Sequence, residues 1–209
     1  MQERFWRSAP LLLTISFAVT FVLYAAHPGE PQASTVSKYL AISAPWHIVL
    51  FAATFVQLVT AALIAGASLQ RPGAAIGLLL AAIGLNVDFV HASAEGFIFP
   101  PLARSMPASQ FVEVVRSIYA APSELVLTLV GLVATTAGLA VLALSKSTGT
   151  AVRAFAGAAA LLVPVSLAVP GAFDACILCT YVALALTARS LTPRTADLPY
   201  NPAILEANA

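Results

Sequence analysis

Apolar residues gather along the chain into six long blocks, roughly 9–26, 45–68, 73–96, 122–145, 152–171 and 173–191, separated by polar connections. A helix crosses the hydrocarbon of a bilayer in about 20 largely apolar residues. The pattern therefore predicts an all-α integral membrane protein in which residues 1–191 form one six-span helical bundle. Pro170-Gly171, followed by Asp174, marks a tight turn between the last two blocks. Reading those blocks as one kinked helix would leave five spans. The connections at Arg71-Pro72 and at Lys146 to Thr150 are short, whereas 27–44 and 97–121 are long. Within the second long one, Phe111, Val112, Val115, Ile118 and Tyr119 recur at i, i+1, i+4, i+7 and i+8. That stripe predicts an amphipathic helix, either lying in the membrane interface over the outer mouth or packing on the bundle. Residues 192–209, with Pro193, Pro199 and Pro202, read as a loose cytoplasmic tail.

Composition narrows the class. Of 209 residues, 60% are hydrophobic and only 9% charged, and mean hydropathy is +0.91. A soluble domain devotes about a quarter of its residues to charge in order to cover its surface, so a cytosolic enzyme and a disordered chain are excluded. The 10 Lys and Arg are matched by 9 Asp and Glu, which leaves no electropositive footprint for nucleic acid. The expected partner is the lipid bilayer, and the two Cys are too few for a disulfide framework.

Basic residues set the expected orientation. With the N-terminus inside, Arg4, Arg7, Arg71, Lys146, Arg153, Arg189 and Arg194 fall on the inner side, and Lys38, Arg104 and Arg116 on the outer. Both termini are thus expected in the cytoplasm, in a prokaryotic plasma membrane. Arg4 and Arg7 before an apolar run imitate a secretory signal, but Tyr24-Ala25-Ala26 is a poor cleavage site, so the run is taken as the first span. Small residues at Gly73 and Gly77, at Gly131, Ala134 and Gly138, and at Ala156 to Ala160 suit close helix packing in lipid.

The candidate chemistry lies in ionisable residues that a membrane span tolerates poorly. On a continuous helix, Asp88, His91 and Glu95 at i, i+3 and i+7 share one face, with Asp88 about 22 Å from Gly73 along the axis. His27, His47, Glu124 and Asp174 fold to the same outer half, whereas the inner half holds no His or carboxylate. Imidazole and carboxylate together suit a divalent metal ion. His47, Asp88 and His91, with His27 further off, are the expected metal ligands. Asp88, His91, Glu95 and Glu124 are the expected groups for a small polar ligand or protons. A bis-His haem on His47 and His91 is a further option, and no HExxH stands in the chain. Structural alternatives remain open: His27 as a solvated loop residue, and His47 beside Trp46 as an interfacial anchor.

Cys176 and Cys179 form a C-x-x-C at the start of the sixth block and are candidate catalytic thiols. The run Cys176-Ile177-Leu178-Cys179-Thr180-Tyr181 resembles the active-site segment of the quinone-linked disulfide-forming membrane proteins. It is also similar to the C-x-x-C of the vitamin K epoxide reductase family, where an Asp often precedes the pair, as Asp174 does here. The resemblance covers only this short segment. Those families shuttle electrons through a second Cys pair that this chain lacks, and Val182-Ala183 stand where an Arg follows the motif in the disulfide-forming proteins.

Signatures of phosphate-binding loops, dinucleotide folds and α/β-hydrolases are absent, as is an internal repeat. The expected function is an outward-facing His and carboxylate pocket that binds a metal ion, or protons and a small polar ligand, for transport or membrane-embedded catalysis. The alternatives are a thiol-disulfide oxidoreductase and a non-catalytic membrane scaffold.

Overall fold

The structure is a computed structural model. It describes residues 2–26, 31–87, 89–166, 168–169 and 172–192, without the side chains of 2–5, 89 and 91. Among the described residues the chain is all-helical. Helix α1 (Gln2–Ala25) is followed by a 3-10 turn (Ala33–Thr35), α2 (Val36–Gly66) and α3 (Pro72–Leu85). Next come α4 (Phe89–Ser93), a π-helical turn (Ala94–Ile98) and α5 (Phe99–Ser105). The chain continues through α6 (Ala108–Tyr119), α7 (Pro122–Leu144), α8 (Thr150–Ser166) and α9 (Ala172–Leu191).

Four stretches are long and apolar enough to cross a membrane: Trp6–Ala25, Ala33–Gly66, Pro122–Leu144 and Ala172–Leu191. Helices α3 and α8, with 14 and 17 residues, are apolar but shorter. Leu11, Val22, Phe55, Val133, Leu144 and Leu161 point outward and are exposed, an apolar surface that lipid accepts and water does not. α8 and α9 are separate helices packed on one another, which favours the hairpin over one kinked helix.

The third block departs from expectation. It is not one helix over 73–96: the α-helix stops at Leu85, and Asn86 caps it by donating its side-chain Nδ2–H to the Ala82 carbonyl (2.7 Å). The break coincides with this side-chain bond, which adds to the Asn86 backbone N–H already donated to the same carbonyl at 3.2 Å; Asn side chains that bond their own backbone are disfavoured in helix interiors. The face shared by Asp88, His91 and Glu95 presupposes an unbroken α-helix; Asp88 and the His91 side chain lie outside the described residues. The second helix also begins earlier than expected, at Val36, and runs through Pro45.

Close packing of α3 against α7 follows the small residues. A Cβ added at Gly84 would run into the Thr135 backbone nitrogen and the Gly131 carbonyl oxygen. One at Gly77 would stand 3.0 Å from the Gly138 carbonyl oxygen. Glycine here permits close helix approach, which small residues allow where lipid provides no hydrophobic drive.

Helices α1, α2, α3, α7, α8 and α9 enclose the main core, in which Leu13, Phe17, Ile64, Leu78, Leu139 and Leu184 are fully or almost fully buried. A second, smaller core of Val36, Phe99, Phe111 and Val115 lies apart from it. Gln57 of α2 donates to Thr20 Oγ1 at 2.7 Å, near the end of α1 but far from the start of α2. For straight antiparallel helices, the first part of α2 then projects about 24 Å past α1 at 1.5 Å per residue. That projection, with α4, α5 and α6, forms a helical cap on the bundle. Phe111 and Val115 of the expected amphipathic stripe are its buried anchors, so α6 packs on the cap.

Candidate functional site

The site forms within the cap, from α2, the π-helical turn and the end of α6. Tyr39, Ser43 and His47 recur every four residues along α2, so one helix face presents all three, and all are buried. Glu95 arrives from the π-helical turn, whose wide ring is closed by the Phe99 N–H donating to the Ala94 carbonyl. Gly96 lets that turn lie against α2: a Cβ there would meet Ile48 Cγ1 at 3.1 Å and Ile48 N at 3.3 Å. Tyr119, the last residue of α6, comes from the cap and is positioned by Phe99, whose ring lies 6.4 Å from its own and 5.9 Å from Phe111.

Glu95 is the hub. Its Oε2 accepts from the Tyr39 hydroxyl at 2.5 Å and the Ser43 hydroxyl at 3.5 Å, and stands 3.3 Å from His47 Nε2. Its Oε1 accepts from the Tyr119 hydroxyl. On the other side of the imidazole, His47 Nδ1 is 2.8 Å from the Ser43 carbonyl and 3.0 Å from the Ser43 hydroxyl. The Trp46 indole packs edge-on to the same ring, 4.5 Å between centroids.

A backbone carbonyl only accepts, so the 2.8 Å contact with the Ser43 carbonyl favours the tautomer in which His47 Nδ1 carries hydrogen. With Nδ1 protonated, Nε2 faces Oε2 either as the donor of an imidazolium or as a bare lone pair receiving the proton of a carboxylic acid. Both arrangements place one proton between Nε2 and Oε2. Two bare lone pairs facing each other at 3.3 Å in a buried setting would repel and leave both unsatisfied. Tyr119 remains a donor, because burial, then the hydrogen bond to Glu95 and the charge on Glu95, push its phenol well above the usual range. Glu124, half-buried in the first turn of α7, adds a smaller upward push on the same phenol.

Of the residues expected at the site, the structure joins His47 with Glu95 and sets Glu124 within electrostatic reach of Tyr119. His27 and Asp88 lie outside the described residues, as does the side chain of His91. Among the described residues, no three His, Cys, Asp or Glu side chains gather as a metal-binding group. Sequence reasoning passed over Tyr39, Ser43 and Tyr119 as partners of Glu95. The four-residue rhythm of Tyr39, Ser43 and His47 was the available signal for the first two; Tyr119 had none beyond closing an amphipathic helix.

The two cysteines are free thiols on α9. Cys176 is buried and donates weakly to the Ala159 carbonyl at 3.5 Å. It follows the first turn of a helix that begins at Ala172, and the stabilisation a helix terminus offers a thiolate fades within that turn. Compared with known proteins, the chain matches no protein-family model, no curated sequence and no solved structure.

Proposed function

We propose that the chain is a six-span protein of a prokaryotic plasma membrane with both termini in the cytoplasm. In this reading the buried His47–Glu95 pair, at the outer end, takes up and releases a proton as a small polar ligand binds, in transport or membrane-embedded catalysis. The shorter third and fifth helices still count as spans: α3 is prolonged by the segment that follows its break, and α8 is about 26 Å long at 1.5 Å per residue. The observation that carries the reading is the 3.3 Å contact between His47 Nε2 and Glu95 Oε2, both buried, with phenols on either side.

A pocket of about 60 Å³ in the cap is lined by Pro31, Val112, Val115, Arg116 and Tyr119. A ligand there would touch Tyr119, whose phenol is bonded to Glu95, so binding and the proton between His47 and Glu95 share one network. The proton reading is preferred to the metal reading because protein donors already occupy the Glu95 oxygens. A metal would have to break those bonds.

Infrared difference spectroscopy between acidic and alkaline buffer tests the proposal. A protonatable carboxyl band that disappears in Glu95→Gln and shifts in His47→Gln is expected. A spectrum identical in Glu95→Gln and wild type, with both folded, would overturn it.

A further inference from the structure

At the end of the bundle where α1 finishes and α9 begins, a concavity separate from the His47–Glu95 site opens between these two helices. It measures about 260 Å³ and is lined by Phe21, Tyr24, Ala25, Phe173, Asp174 and Ile177. It shares Tyr24, Phe173 and Ile177 with a deeper cleft of about 160 Å³, which runs past Cys176 and Leu132 to Gly131. Three aromatic rings and one carboxylate thus frame the mouth, and among the described residues no Lys or Arg lines either part. Asp174 is exposed and has neither hydrogen bond nor ion pair among the described residues. A carboxylate in a first turn suits a helix N-terminus, but that role leaves the three rings around it unexplained.

Aromatic faces carry negative potential and attract cations, and quaternary ammonium groups are held in this way. A cavity of about 150 Å³ suffices for benzene, so the deeper cleft accepts a single ring or a short branched chain. We infer that this concavity binds an organic cation: its alkylammonium head sits among Phe21, Tyr24, Phe173 and Asp174, and its apolar body enters the cleft beside Cys176. The same chemistry is offered by a free amphiphilic solute and by a choline lipid headgroup.

The test uses the full-length protein in phosphatidylglycerol nanodiscs with two probes of one shape, benzyltrimethylammonium and its neutral carbon isostere neopentylbenzene. In a Cys179→Ala background, Cys176 reports occupancy through its rate of modification by methyl methanethiosulfonate, and thermal unfolding gives a second reading. The cation should protect Cys176 and raise the unfolding temperature, and the neutral isostere should bind about tenfold more weakly. Asp174→Asn should erase that preference, and Asp174→Glu, which keeps the charge, should retain it. Equal binding of the two probes, or a preference that survives Asp174→Asn, overturns the inference. Weaker protection in phosphatidylcholine nanodiscs would assign the pocket to a lipid headgroup, and unchanged protection to a free solute.

Discussion

Glu95 Oε2 accepts a 2.5 Å hydrogen bond from Tyr39 while standing 3.3 Å from His47 Nε2, so one carboxylate oxygen serves a neutral donor and an imidazole at once. The arrangement depends on three separate devices: the four-residue rhythm of α2, the π-helical turn that presents Glu95, and the end of α6 that delivers Tyr119.

Removing the hub should cost more than replacing it. Glu95→Ala leaves a buried imidazole and two phenols without their acceptor, and breaking a buried pair typically costs about 3–5 kcal/mol. Glu95→Gln keeps one acceptor oxygen and should lose less. Unfolding midpoints of both variants in one detergent check the order; an alanine variant as stable as the glutamine variant contradicts it.

Tyr119 gives the account a pH signature. Its phenol is raised in the fold, so the folded protein holds that proton more tightly than the unfolded chain. The associated stability is present below the unfolded tyrosine value, about 10, and is lost as pH climbs above it toward the folded value. Wild type should exceed Tyr119→Phe at neutral pH by about 0.5–1.5 kcal/mol, because Tyr119 is partly exposed and solvent screens the bond. That gap should narrow above about pH 10. Denaturation at pH 8 and pH 11 measures the change, and a gap that widens is the contrary result.

Helix packing offers a test independent of the site. Gly84→Ala forces a methyl group into the α7 backbone and should destabilise by about 1–3 kcal/mol, as overpacking does. Gly66→Ala meets nothing within 4 Å and should be neutral or slightly stabilising. Equal effects at both positions would contradict the close α3–α7 contact.

Gly96 should separate stability from site geometry. Its missing Cβ lets the π-helical turn approach Ile48, so Gly96→Val should push Glu95 away from His47 while the main core stays intact. The expected outcome is a folded protein whose acid-minus-alkaline infrared spectrum resembles that of His47→Gln.

Much of the fold was legible where one physical rule governed. α7 and α9 end within a residue of their apolar blocks, because length and hydropathy alone decide such helices. The amphipathic stripe predicts α6, and the small residues predict close helix packing without saying that α3 meets α7. The break at Asn86 was not legible, because a single polar side chain capping its own helix looks like any polar residue in an apolar run. The π-helical turn has no local signature, and it determines which partners Glu95 meets. His47 and Glu95 were singled out by the cost of burying them, but their hydroxyl partners are neutral and carry no such signal. Asp88 and His27 fall on residues outside the description, so their share in the site rests on the sequence alone.

The central claim is that one proton is held between His47 and Glu95, and nitrogen NMR of histidine-labelled protein tests it most directly, with His47 assigned by its loss in His47→Gln. The account predicts Nδ1 protonated throughout the folded range and Nε2 changing with pH in a way that Glu95→Gln abolishes. An Nε2 response unaffected by Glu95→Gln would contradict it.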